Sequence, residues 1–419
     1  MNLRMTTAAM TCGLLAFATA AKADSGGPVC GLNTGEAATG EPIRVGGISG
    51  NAPPGDFSGG TRAAAAYFAC VNANGGIHGR PIAYSVGNDQ WNPELAGQIA
   101  SRLVEDEGVV ALVGNGSVVE MAVNAELYAE HGVMAMASGC AISECFESAN
   151  IVSTNQGPLP SGIGALRFAI EELGAEHAAC IGFNIPNNGG WACDWMNRYM
   201  EQHGLRGTSI LMDPTSVDLN GTYLQALASG ADTILLMLPA GPAIGLLGVA
   251  EEQAGRDMFN WVSPTPLYEP GVTEVLGDYW DGHIYINIEL NQFDSDGADN
   301  RNWIAVMDAH GRDGDRRDTF SQAGYLSARF FVEALLELDP ESIDRASVTD
   351  AIRGIVGAES DLLCGPFYVG DGDRHMPNHR GRMVVLRGDA FELVRNCFDI
   401  DTAYLEPILE QERRLGLRD

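Results

Sequence analysis

The sequence predicts an α/β protein in which parallel sheets carry helices on both faces. Three observations predict it. Short apolar runs alternate with stretches of helical spacing along most of the chain, the rhythm of strand–helix–strand units. Runs such as "VVALVG" at 109–114 lack polar–apolar alternation, so both their faces must be covered, as in a buried parallel sheet. A chain of 419 residues, 45% of them apolar, has material for two or three domains. A long helical pattern near the end fits a return to the first domain, giving two similar lobes joined by several crossings.

The first 23 residues stand apart. Arg4, the apolar "TTAAMTCGLLAFATA" and the small-residue site "AKA" form a secretory signal peptide. A leader (24–41) follows. "IRVGGISG" is the first strand, and residues 57–73 have helical spacing. Gly75 and Gly76 sit where a helix C-cap falls. The order helix, glycines, strand ("PIAYSVGND") is the reverse of a phosphate cradle, so "NGGIHGR" turns the chain. Asn92 and Pro93 open a helix over 92–108. A strand at 109–114, a helix capped by Ser117 and the strand "VMAMAS" complete this half.

The alternation then repeats. Helices are predicted at 159–174, 190–204, 219–230 and 242–255, with strands at 178–183, 208–213, 232–238 and 259–265. "GHIYINIEL" is another strand. A long helix over 319–339 stops before Pro340, a helix over 346–355 follows, and the tail holds short strands around 365–370 and 382–394.

Composition narrows the function. Removing Arg4 and Lys22 with the leader takes the formal charge from −30 to −32. Lys22 is the sole lysine, so a P-loop lysine, a Schiff-base lysine and a lysine general base are excluded. Nucleic acid is excluded for want of a basic footprint. Cys30, Cys70, Cys140, Cys145, Cys180, Cys193, Cys364 and Cys397 remain, an even set in an exported chain, which predicts disulfides. Their pairing is open, Cys140–Cys145 being the easiest local pair.

The motifs of hydrolases, zinc proteases and dinucleotide binders are absent in a suitable setting, so no catalytic residue and no enzyme activity is expected. "DGDRHMPNH" groups Asp371, Asp373, His375 and His379, but it reads as a turn. "DSDGADN" has its glycine at the wrong position for a calcium loop and reads as an acidic surface loop. No metal and no cofactor is expected.

"IRVGGISG", "AAAAYFACVNANGGIHGRPI", "NDQWNPELAGQIASRLVEDEGVVALVG", "AELYAEHGVMAMAS" and "CGPFYVGDGDRHM" occur in this order. Together they resemble the exported substrate-binding proteins of ABC importers for branched-chain amino acids, the Leu/Ile/Val-binding type. The resemblance covers roughly 42–399. It implies two Rossmann-like lobes joined by three hinge crossings near 155–158, 287–292 and 362–366, with the ligand between them. Lobe 1 would comprise 42–157 plus 291–362 and lobe 2 158–290 plus 363–399, with a tail at 400–419. It also implies a monomer in the periplasm that delivers a small carboxylate-bearing ligand to an ABC permease. A ligand-sensing partner of a membrane receptor is the other role such a fold can take.

The resemblance carries over a site. In "GNGS" the amides of Gly116, Ser117 and Val118 would meet the ligand carboxylate at a helix N-terminus, with the Ser117 hydroxyl beside them. The alternative is that Ser117 only caps its helix. Gly139, Cys140 and Ala141 align with a second segment in which the family has a Thr at Ala141. Asn188 stands where the family has an aromatic residue, and Trp191 is near enough to cover the ligand instead. Thr265 stands where the family has the carboxylate for the ligand's amino group. Asp56 and Phe57 fall on another contact loop. Asp56, Glu120 or Glu269 would have to receive an ammonium, since none occupies the family's position. The ligand is therefore either an amino acid held by substitute residues or an amine-free aromatic or aliphatic carboxylate.

Overall fold

The computed structural model describes residues 27–52 and 55–418. The expected signal peptide lies outside them. The first sheet holds β1 (Ile43–Ser49), β4 (Ile82–Asn88), β5 (Ala111–Asn115), β6 (Met134–Ala137) and β7 (Ile151–Ser153), all parallel, in the order β4-β1-β5-β6-β7. A two-stranded ribbon, β2 (Asn51–Ala52) with β3 (Gly55–Asp56), follows β1. The helices α1 (Gly59–Ala73), α2 (Pro93–Ser101), α3 (Val118–Glu130) and the short α4 (Ser143–Phe146) alternate with these strands.

The second sheet is built from β8 (His177–Phe183), β9 (Arg206–Met212), β10 (Thr233–Met237), β11 (Asn260–Ser263) and β12 (Ile284–Ile288), which are parallel. Its helices are α5 (Pro158–Leu173), α6 (Trp191–Gln202), α7 (Leu219–Ser229), α8 (Ala240–Glu252) and α9 (Val272–Leu276). Helices α10 (Ala298–His310), α11 (Thr319–Leu336) and α12 (Arg345–Arg353) follow, then the pair β13 (Val356–Ala358) and β14 (Phe367–Tyr368). An antiparallel hairpin, β15 (Arg380–Arg387) and β16 (Ala390–Asp399), completes the second sheet as β16-β15-β12-β11-β10-β8-β9. The chain ends in α13 (Glu406–Leu415).

The late long helix does return to the first lobe. α11 lies along α1, with Tyr325 edge-on to Tyr67 at 5.3 Å, and its Ala323, Leu326, Phe330 and Phe331 are buried there. Each such large apolar side chain contributes roughly 1.5–3 kcal/mol on burial. Two details depart from the sequence reading. The helix predicted over 92–108 ends at Ser101 and continues as a π turn at Arg102–Asp106. The last three residues of the expected acidic loop "DSDGADN" form the first turn of α10, whose Trp303, Val306 and Met307 are buried.

The eight cysteines pair as Cys30–Cys70, Cys140–Cys145, Cys180–Cys193 and Cys364–Cys397. Three passages link the sheets. The first runs through Thr154–Gly157 into α5, and the second leaves β12 at Glu289. The third was expected at 362–366. Leu362 does lie beside the second passage, its carbonyl accepting the Asn291 N–H. The chain then packs Phe367 on Phe330 in the first lobe's core and enters the second sheet only at Arg380.

The passages are tied together by polar groups. Asn378 donates to the carbonyls of Thr154 and Glu289 at 3.0 and 3.1 Å. The buried Glu289 carboxylate accepts the Gln156 N–H at 2.9 Å. Burial pushes the Glu289 carboxyl up to about 7, against the pull of the Gln156 and Gly157 amides. Gly157 itself sits at φ 79°, and a Cβ there would come within 2.2 Å of the Phe146 ring.

Candidate functional site

The loops after β6 and β8 meet where Asn188 reaches the Ala141 carbonyl, at the carboxyl ends of the strands, which is where parallel α/β sheets bind ligands. The N-terminus of α3 stands on the first-lobe side. The backbone there continues β5 by one bridge to Ser49, so the Gly116 amide donates to the Ile48 carbonyl at 3.0 Å and is not free. The Ser117 and Val118 amides have no acceptor among the described residues, and neither has that of Ala141. These N–H groups and the α3 dipole form an anion-attracting end.

The Ser117 hydroxyl is otherwise engaged. It caps α3, accepting the Val119 and Glu120 amides at 3.2 Å each, and it donates to the buried Asp89 carboxylate. Asp89 also accepts the Trp91 N–H at 2.9 Å. Trp91 adopts φ 61° and Gln90 φ 52°, a left-handed pair that costs energy for side chains of this size. The Trp91 indole N–H donates to the Ala52 and Gly55 carbonyls, so it pins the ribbon that presents Asp56 and Phe57. Neither Asp89 nor Trp91 stood out in the sequence.

Phe57 lies edge-on to Trp91 at 5.2 Å and against Phe320 at 4.7 Å. Gly116 and Gly139 lie beneath this pair: a Cβ on Gly116 would stand 2.7 Å from the Phe57 carbonyl, and one on Gly139 would stand 3.3 Å from the Phe320 ring. The Gly139 N–H donates to the Asn115 carbonyl. Cys140 is disulfide-bonded, and the Asn155 carboxamide takes both its N–H and its carbonyl at 2.8 and 3.0 Å.

Two predicted second-lobe residues reach the first lobe instead of empty space. Asn188 donates to the Ala141 carbonyl at 2.5 Å. Trp191 stacks on Phe146 with centroids 6.3 Å apart and packs edge-on to Tyr404. Thr265 is buried and turned inward. Its N–H donates to Ser161 Oγ at 3.1 Å and its hydroxyl to the Asn287 carbonyl at 2.9 Å.

Of the three acids considered for an ammonium, Glu120 is out of reach. It is fully buried in the first turn of α3, where Asn115 and Tyr128 donate to it. Burial pushes its carboxyl up to about 8, and the nearby Asp89 charge adds to this. Asp56 and Glu269, by contrast, come close enough for their charges to act on each other.

A residue pair the sequence reading missed completes that group. Arg316, in the loop before α11, reaches Glu269 at 2.9 Å and Asp318 at 2.7 Å. Asp318 caps α11 through the Ser321 N–H at 2.8 Å, the one signal by which it was findable. Burial raises the Glu269 and Asp318 carboxyls, against the pull of the Arg316 guanidinium. Two carboxylates thus pair with one guanidinium, with the charge of Asp56 close enough to act on it.

The "DGDRHMPNH" histidines serve the scaffold. His375 Nδ1 contacts the Ser148 carbonyl at 2.9 Å, and His379 Nε2 lies 2.6 Å from Glu412. Among the described residues no group of three His, Cys, Asp or Glu side chains is placed to hold a metal.

Comparison with known proteins places this architecture. A family model described as periplasmic binding protein matches residues 42–390. No curated protein matches in sequence. Among solved structures, an ABC-transporter solute-binding protein from R. palustris in complex with 4-hydroxybenzoate is 20% identical, with a TM-score of 0.74, covering 88% of this chain and 100% of its own. A fatty acid ABC transporter substrate-binding protein from Thermomonospora curvata is 17% identical, with a TM-score of 0.74, covering 88% and 95%. A branched-chain amino acid ABC transporter protein from Thermus thermophilus with bound valine is 16% identical, with a TM-score of 0.73, covering 88% and 99%.

Proposed function

The chain belongs to the periplasmic binding protein family, and from that premise we propose that it captures a small carboxylate-bearing ligand between its lobes and delivers it to an ABC permease. The observation that supports the ligand class is the set of amides without an acceptor among the described residues, at Ser117 and Val118 where α3 begins and at Ala141 in the loop after β6. Phe57 and Phe320 supply the apolar floor for the ligand's body.

The amino-acid reading is the better supported of two. Asp56, Glu269 and Asp318 outnumber Arg316, a surplus of negative charge that an ammonium would balance once water is expelled. The second reading, an amine-free aromatic acid, draws on the Phe57–Phe320 pair and on the likeness to the protein holding 4-hydroxybenzoate. The family supports a periplasmic location, and we propose that the protein acts there as a monomer.

The test is a thermal-shift screen of leucine, valine, phenylalanine and 4-hydroxybenzoate, followed by calorimetry. A ligand at a hundredfold its Kd adds about 2.7 kcal/mol to stability. Shifts from the amino acids alone support the first reading. Shifts from 4-hydroxybenzoate alone replace it by the second. No shift from any of the four refutes the proposed site.

A further inference from the structure

The lobes touch at a second place, next to the first and third passages, where Phe146 lies against Gly157 and its carbonyl accepts the His375 N–H at 3.0 Å. On the first lobe it is the corner Ala141–Glu147, which contains α4 and is closed by Cys140–Cys145. Facing it is the π turn Pro186–Gly190 that opens α6. The Asn187 carboxamide donates to both Glu144 oxygens at 2.9 Å, Asn188 donates to the Ala141 carbonyl, and Trp191 stacks on Phe146 at an interplanar angle of 19°.

Tyr404 braces these contacts from beyond the family match, which ends at residue 390. Its ring is edge-on to Trp191 at 5.6 Å and to Trp195 at 5.1 Å, both on the second lobe. Its hydroxyl donates to Glu147 of the first lobe at 3.1 Å. Arg374 lies over the Tyr404 ring and reaches Glu147 at 3.4 Å. The segment carrying Tyr404 is itself anchored, since α13 buries Ile408, Leu409 and Glu412, the last against the buried His379.

We propose that this constellation is a catch that holds the lobes together without ligand, with the C-terminal segment 402–417 as its brace. None of its contacts involves a ligand group. Opening would part the Asn187, Asn188 and Trp191 contacts, which the closed arrangement gains on its own account. A ligand shifts an equilibrium only by its differential affinity for the two states, so a pre-favoured closed state lowers what the ligand must supply. Exposed ion pairs such as Arg374–Glu147 are weak, so the stack and the carboxamide bonds carry the catch. The inference does not depend on which ligand is bound.

The experiment is small-angle X-ray scattering of the ligand-free protein as wild type, Asn187→Ala/Asn188→Ala and Tyr404→Ala, with far-UV circular dichroism as the check on folding. The wild-type profile should match the closed structure. Both variants should shift to a larger radius of gyration with unchanged secondary structure. Tyr404→Phe, which keeps the ring and loses the Glu147 bond, should shift less. An open wild-type profile, or folded variants with the wild-type radius, overturns the catch. Should one Ala variant fail to fold, the other and Tyr404→Phe still decide it. A null result in the ligand screen leaves this test untouched.

Discussion

Glu120→Gln isolates the energetic cost of a buried acid in the first turn of α3. In the folded protein the carboxyl is raised from its ordinary 4.5 to about 8, chiefly by burial. The native state therefore holds a proton that the unfolded chain has released between about pH 4.5 and 8. In that window stability falls as pH rises, because the folded state binds more protons. The stability is fully present below about pH 4.5 and is lost as pH climbs through about 8. At about 1.4 kcal/mol per unit, the loss is on the order of 5 kcal/mol. Glutamine abolishes this slope at a fixed cost, since Oε2 of Glu120 has no partner and an amide nitrogen placed there would have no acceptor. That cost is about 1–3 kcal/mol at every pH. The variant should therefore melt below wild type at pH 5 and above it at pH 8.5, with the curves crossing between. Differential scanning calorimetry across that range checks it. Glu289 keeps its own slope in both proteins and cancels in the difference. Parallel Tm-versus-pH curves for the two proteins would refute a neutral Glu120.

Two further outcomes follow from contacts around the cleft. Ser117→Ala removes the cap of two α3 amides and the hydroxyl bonded to Asp89, so stability should fall by about 2–4 kcal/mol in chemical denaturation. Ligand affinity should change less than for Ser117→Pro, which also removes the N–H at this position. Equal loss in the two variants would mean that the amide does not matter. Gly157→Ala places a Cβ on a left-handed residue and against the Phe146 ring, and should cost about 2 kcal/mol or more in thermal unfolding. An unchanged Tm would show that the first passage relaxes freely.

Much of the architecture was legible because it is encoded locally. Bare apolar runs specified parallel strands, Asn92–Pro93 and Ser117 marked helix starts, and Gly75–Gly76 marked a helix end, each a matter of neighbouring residues. The even cysteine count in a chain read as exported predicted disulfides, and the lack of lysine after residue 22 removed whole classes of chemistry. Helices α10 and α13 escaped because their polar faces dilute the apolar period; their buried sides exist only against the rest of the fold.

The destination of each polar side chain was decided by tertiary structure alone. "GNGS" marked an anion-attracting helix start, but only the fold shows that Gly116 N–H joins the sheet and that the Ser117 hydroxyl turns to Asp89, twenty-eight residues away in sequence. Asn188 and Trp191 were placed in the cleft by alignment, yet both spend their contacts on the opposite lobe. Arg316 joins Glu269 across a gap that no local pattern spans. The sequence by itself determined the elements, because strands and helices are selected by periodicity, caps and turns over a few residues. Which groups pair across the cleft, and which stay free for a ligand, was decided only when folding set distant segments side by side and burial made each unpaired group costly.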